Sequence, residues 1–333
     1  MDTSDTSPAG QRCEDGMGTP TEARFVESVC LPLLRSAQNS DGGWGFHPGS
    51  ESRPESTCWV LQALLQCSWP EIPEAAVRGF QFVREAQLGD GAWPSARAEQ
   101  VGCWVTALAC WVLCGEKKSS NAVAAGLDWL CKDWPQDSTP WRRFLARFSS
   151  QRHISPINNS YRGWGWTPGT SSWVEPTPIA LLAFNACPDQ LLPSTAARRR
   201  KLAEAMLRDR MCPGGGWNCG NPLVYGVAGE PLMIPTVWAL LALRNQPELR
   251  ENVLSLEWLE KNAVNIQGPA SFALARLCLG AYGRRWPSNA PEFLGFHQKN
   301  EFLKNIVVTA WSCLALGTKR RFLSTRLPSV RMS

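Results

Sequence analysis

The sequence predicts an all-α fold: a single α/α toroid in which a ring of inner helices is sheathed by a ring of outer ones. Three observations carry this. A two-helix unit recurs six times along 333 residues, a period near 50 residues that belongs to repeat architectures. The second stretch of each unit is apolar nearly all round, as in WVLQALLQC from Trp59, WVTALACWVL from Trp104 and VWALLAL from Val237. Such a helix must be buried on most sides. A Thr also follows a turn Trp by 13 residues in three units: Trp44 to Thr57, Trp93 to Thr106 and Trp164 to Thr177.

The units follow in order. The first runs from Phe25 to Ala37, turns at Asp41-Gly42-Gly43-Trp44 and continues from Glu55. The second runs from Ala76 to Ala86, turns at Asp90-Gly91-Ala92-Trp93 and continues from Gln100. The third begins at Asn121, but its turn Gly163-Trp164 arrives only after an insertion over 133–162. The fourth passes from Thr195 through Gly215-Gly216-Trp217 to Thr236, an interval of 19, and Thr309 holds the same slot in the last unit. Two degenerate units cover 248–282 and 291–316. First stretches carry more charge, as in Arg198-Arg199-Arg200-Lys201, and suit the outer layer. Closing the ring removes the apolar end units that an open stack would expose. The predicted organisation is a disordered segment over 1–20, the toroid over 21–317 with its insertion, and a basic tail over 318–333.

Composition excludes other classes. The chain is 44% hydrophobic and 19% charged with 17 Trp, whereas disordered chains are poor in aromatics and rich in charge. No apolar run reaches the ~18 residues of a membrane span. The polar N-terminal segment has no secretory signal pattern. Thirteen Cys without a Cys-x-x-Cys pair read as reduced core residues of a cytoplasmic protein; Cys212 and Cys219 flank a turn but have no nearby His. No metal or cofactor is expected. Net charge is +5, and Lys319, Arg320, Arg321, Arg326 and Arg331 of the tail carry no acid among them. A nucleic-acid surface would cluster such residues on the folded body, so no nucleic-acid partner is expected. The tail reads either as a solvated terminus or, with Phe322 and Leu323, as a weak peripheral membrane contact; the aromatic-rich insertion reads as a lid, a membrane-contact segment or a packed excursion.

Arg78-Gly79-Phe80-Gln81-Phe82-Val83, then Gln87, Gly91 and Trp93, resemble the QW repeat of squalene–hopene cyclases and related triterpene cyclases. Leu33-Leu34, Gln38 and Gly42-Gly43-Trp44 match less fully, and in the fourth unit Met211 stands where the repeat has Gln. The resemblance implies the toroid shared by terpene cyclases and protein prenyltransferase β-subunits, with an isoprenoid in the central cavity. Gln38, Gln87, Trp44, Trp93, Trp164 and Trp217 are then structural staples, and Asp41 and Asp90 form turns.

Cyclases of this kind protonate an alkene or epoxide with the central acid of Asp-x-Asp-Asp, followed by Thr. This chain has no such motif. Aligned on the Thr, Trp173-Val174-Glu175-Pro176-Thr177 puts Glu175 at the donor position, and Glu55 holds the same slot in the first unit. Desolvation keeps a buried carboxyl protonated, which gives Glu175 the candidate role of acid. It also reads structurally, since an acid at a helix start followed by Pro is routine. Candidate substrate contacts are Glu55, Trp59, Trp104, Trp173, Thr177, Trp238 and Trp311, whose rings would stabilise a carbocation by ~0.5–2 kcal/mol each. The expected function is terpene-cyclase-like binding of an isoprenoid or similar apolar ligand, with acid-initiated cyclisation; the alternative is a non-catalytic ligand-binding or scaffold toroid.

Overall fold

The turn chemistry of the sequence is what builds the toroid. In the computed structural model, which describes residues 20–66, 72–133, 135–136, 139, 141, 157–289 and 292–317, the backbone N–H of each turn Trp donates to the hydroxyl of its Thr. The bonds are Trp44 to Thr57, Trp93 to Thr106 and Trp164 to Thr177, all 2.9 Å, and Trp217 to Thr236 at 2.8 Å. Each indole N–H in turn donates to a carbonyl of an outer helix: Leu34, Val83, Leu130 and Leu207. One residue type thus ties an outer-helix end, satisfying a carbonyl left open there, to the start of the next inner helix.

The inner helices are α3 (Pro54–Gln66), α5 (Val105–Leu113), α7 (Pro176–Ala186), α9 (Met233–Leu243), α11 (Pro269–Ala281) and α13 (Ile306–Leu316). Each packs against the next, and α13 packs back on α3, so the ring closes. The outer layer comprises α1 (Pro20–Phe25), joined by a π-helical turn (Val26–Cys30) to α2 (Leu31–Ser36), then α4 (Ile72–Glu85), α6 (Ser120–Lys132), α8 (Ala196–Asp209), α10 (Arg250–Ala263) and α12 (Phe293–Asn300). Closure is reinforced where the chain ends meet. Glu22 pairs with Arg276 of α11 at 2.8 Å, Phe25 meets Phe293 edge-on, and the Ile306 N–H donates to the Phe46 carbonyl.

The repeat's other residues have equally concrete roles. Gln38 donates to the Gly42 and Ala75 carbonyls, and Gln87 to those of Gly91 and Ala122, so each amide binds its own turn to the next outer helix. Asp41 and Asp90 accept from the backbone two residues on. A methyl group at Gly79 would lie 2.9 Å from the Trp44 ring, and one at Gly126 2.7 Å from Trp93, so Gly lets the outer helix sit on the indole. The third turn has no Gln. There Arg199 of α8 donates to the Arg162 and Gly163 carbonyls and lies 3.9 Å over the Trp164 ring.

Sequence periodicity missed one element. The longer fourth turn contains a two-stranded hairpin, β1 (Leu223–Val224) and β2 (Val227–Ala228), whose tight turn has Tyr225 and Gly226 at positive φ. The expectations for 1–20, for most of 133–162 and for 318–333 lie outside the described residues, apart from Pro20 at the start of α1 and a few positions that include an exposed Trp141.

Thr106→Val removes the acceptor for the buried Trp93 N–H and is expected to cost about 1–3 kcal/mol of stability. The exposed control Thr167→Val is expected to change it by less than about 0.5 kcal/mol. Urea unfolding of both variants checks the difference.

Candidate functional site

The Thr bonds also decide what faces the axis. Two residues along a helix is a rotation of about 200°, so positions two before and two after each Thr lie opposite its outward-tied hydroxyl. The positions after are Trp59, Leu108, Ile179, Trp238 and Trp311; the positions before are Glu55, Trp104, Glu175, Ile234 and Val307. Three of the first set, Trp59, Trp238 and Trp311, meet in the middle of the ring. Trp59 stacks on Trp238 with centroids 5.3 Å apart although α3 and α9 are opposite members of the ring. Trp311 packs edge-on against Trp59 at 5.5 Å, and Trp111, one turn deeper on α5, lies 6.2 Å from it. These rings fill the axis at their level.

The second set forms a rim above that floor. Glu55, Trp104, Glu175 and Ile234 are half-buried and Val307 is buried. The candidate site is the mouth of the ring at the N-terminal ends of the inner helices, here called the funnel, where helix register turns Glu55 and Glu175 toward the axis one turn before the Trp cluster. The loops around it are stitched together: the Trp104 N–H donates to the Trp166 carbonyl and the Val174 N–H to that of Cys219. At one side a cavity of about 10 Å³ lies among Trp104, Trp129, Asp133, Trp164 and Pro176, room for about one water.

Both rim carboxyls titrate high. Burial pushes Glu55 up to about 7 and also raises Glu175. Glu175 precedes α7 but makes no capping hydrogen bond, and a carboxyl serving only the helix start would be held in its ionised form. Among the described residues neither carboxyl has an ion pair or hydrogen-bond donor, so desolvation dominates. Glu55 sits over Trp59, one helical turn away.

The candidate contacts from the sequence therefore separate into groups. Glu55, Trp104 and Glu175 line the rim; Trp59, Trp238 and Trp311 form the floor. Trp173 is 38% exposed on the loop beside the rim. Thr177 is buried and its hydroxyl is taken up by the Trp164 N–H and the Trp173 carbonyl, a turn staple with no face toward the funnel. Sequence reasoning missed Gln62, which is buried on α3 three residues after Trp59 with neither end of its amide hydrogen-bonded. A polar residue inside an otherwise apolar inner helix was the available signal. Each such orphaned group costs about 1–3 kcal/mol. Among the described residues no three His, Cys, Asp or Glu side chains gather as metal ligands, and no helix is long and apolar enough to cross a membrane.

No protein-family model matches the chain. A stretch of 95 residues is 35% identical to human lanosterol synthase, and one of 85 residues is 42% identical to drimenyl diphosphate synthase of Streptantibioticus cattleyicolor. Each covers 26% of this chain, but only 12% and 15% of those proteins. A variant of the type II terpene cyclase MstE from Scytonema, in complex with its product merosterolic acid A, superposes with a TM-score of 0.57 at 12% identity over 91% of this chain and 98% of that one. The GH76A α-1,6-mannanase of Salegentibacter sp. HEL1_6 superposes with a TM-score of 0.58 at 10% identity over 90% of this chain and 99% of that one. At these identities the likeness is one of fold, and a mannanase on the same toroid separates fold from activity. The chain thus shares the α/α toroid fold of these structures and, over about a quarter of its length, is similar in sequence to two terpene cyclases.

The raised Glu55 pKa sets a sign for pH dependence. Between about 4.5, where the unfolded chain releases this proton, and about 7, where the folded protein does, the folded state binds more protons. Stability therefore falls as pH rises through that window and levels off above it, and Glu175 adds to the same trend. Glu55→Gln is expected to flatten the slope and to be at least as stable as wild type at pH 8, measured by urea unfolding across pH 4.5–8.

Proposed function

We propose that this protein is a terpene cyclase-like protein that takes an isoprenoid or similar apolar ligand into the funnel, where a rim carboxyl starts cyclisation as a general acid. The observation that carries the proposal is the pair of protonation-prone carboxyls at one register above a floor of Trp rings. The MstE structures hold geranylgeranyl dihydroxybenzoate as substrate and merosterolic acid A as product, which supports an apolar ligand of isoprenoid type on this fold.

Glu175 has the donor register relative to Thr177, and Glu55 repeats it on α3 with the stronger burial. In the proposed step the carboxyl transfers its proton to one carbon of an alkene, or to an epoxide oxygen, leaving a carboxylate and a carbocation. Trp311, the half-buried ring of the floor, offers a π face to that cation, worth ~0.5–2 kcal/mol, while Trp59 and Trp238 stack on each other beneath it. Loss of a proton from the final cation returns the carboxyl to its acid form. Because no second carboxyl or donor among the described residues supports the nascent carboxylate, an epoxide, more easily protonated, suits this rim better than an unactivated alkene.

The filled axis favours a second reading, a toroid that binds an apolar ligand in the funnel without converting it. The face around the funnel also exposes Phe46, Val101, Trp173, Tyr225, Val227 and Leu232, and we infer peripheral contact of this face with a membrane. Free thiols throughout the described core fit a reducing, cytoplasmic compartment.

Purified protein incubated with squalene, oxidosqualene and shorter polyprenyl substrates tests the first reading beside Glu175→Gln and Glu55→Gln. Acid catalysis predicts product from wild type and a loss of about 10²-fold or more in at least one variant. Equal product from all three removes both carboxyls from the chemistry, and saturable binding without product leaves the binding reading. For the membrane inference, sedimentation with phosphatidylcholine–phosphatidylglycerol vesicles is expected to fall in the double variant Tyr225→Ser, Val227→Ser; unchanged sedimentation would remove this face from the contact.

A further inference from the structure

Buried polar atoms without a hydrogen bond are concentrated in one part of the ring. Ser56 Oγ, Trp59 Nε1, both ends of the Gln62 amide and Trp311 Nε1 have no partner, and all belong to α3 or α13, which pack together. Ser56, Trp59 and Gln62 are at most 1% exposed. Elsewhere, Asn159, Asn185 and Asn252 each have one buried side-chain oxygen without a hydrogen bond. Glu55, Trp59 and Gln62 follow at i, i+4 and i+7 and share one face of α3, and the Trp59 and Trp311 rings are 5.5 Å apart.

We propose that this α3–α13 face is a subsite for a neutral oxygen group, the hydroxyl or carbonyl of a terpenoid ligand whose hydrocarbon chain occupies the funnel. The inference rests on the apolar-ligand reading above and names the class of ligand within it. The chemistry of the groups selects the oxygen. Two indole N–H groups, the Gln62 NH₂ and the Ser56 hydroxyl make the face rich in donors, while Gln62 Oε1 and Ser56 Oγ supply acceptors. A hydroxyl or carbonyl satisfies such a set; a hydrocarbon leaves every group unpaired. A diphosphate is disfavoured, since neither α3 nor α13 contains Lys or Arg and Glu55 adds an acid to the same stripe. Trp311 is half-buried at the floor, whereas Ser56, Trp59 and Gln62 are closed off. In the proposed complex the ligand's oxygen therefore reaches Gln62 by displacing the edge contact between Trp59 and Trp311.

Titration of the ligand-free full chain with farnesol, β-farnesene and farnesyl diphosphate, followed by Trp fluorescence, tests the subsite at matched chain length. Wild type is expected to bind farnesol about tenfold more tightly than β-farnesene, the effect of one or two neutral hydrogen bonds, and more tightly than the diphosphate. Gln62→Leu is expected to lower farnesol binding to the level of β-farnesene and to leave β-farnesene binding unchanged. Trp59→Phe, which keeps a ring and drops the N–H, is expected to narrow the preference as well and carries the test if Gln62→Leu does not fold. Equal binding of alcohol and hydrocarbon by wild type, tightest binding of the diphosphate, or a preference that survives both substitutions would overturn the subsite and leave ordered water as the partner of these atoms. Failure of all three compounds to bind would overturn the apolar-ligand reading itself, and the subsite with it.

Discussion

The hydrogen bond from a turn Trp N–H to a Thr hydroxyl sets everything else in this protein. It is made inside the core, where an unpaired N–H is costly, and it recurs with nearly constant length in four units. Because it fixes the rotation of four of the six inner helices, it also fixes which of their residues look at the axis. The rim and the floor of the funnel are consequences of that register rather than of independent local packing.

Ring closure supplies the second constraint. Inner helices such as α5, whose residues are all buried, have no solvent face to offer, so each needs a neighbour on both sides and an outer helix behind. The last inner helix meets that need by packing on the first. What remains is the axis itself, and here the chain departs from an open bore: Trp59 and Trp238 stack across it. The proposed ligand site is accordingly confined to the mouth of the ring above these indoles, where Glu55 and Glu175 lie.

Much of this was legible in the sequence. The Trp–Thr interval is a spacing rule, and six apolar stretches alternating with charged ones define hairpins whose ends must meet. Glu55 and Glu175 emerged from the same register. Other features were not legible, for physical reasons. The Arg199 guanidinium does for the third turn what Gln does for the first two, a substitution of side chains from different positions that no motif records. The hairpin at Tyr225 is too short to show a period. The meeting of Trp59 with Trp238 depends on ring size, which spacing along the chain does not encode, and the loneliness of Gln62 depends on what surrounds it.

The claim on which the account stands is that tryptophans from opposite sides of the ring close the axis. A double-mutant cycle of Trp59→Leu and Trp238→Leu, read by urea unfolding, measures it directly, since residues far apart in sequence couple when they touch or share a packing partner such as Trp311. The account predicts a coupling of about 0.5–1.5 kcal/mol, the range for aromatic pairs. Additivity within about 0.3 kcal/mol would contradict it and show an axis open at that level.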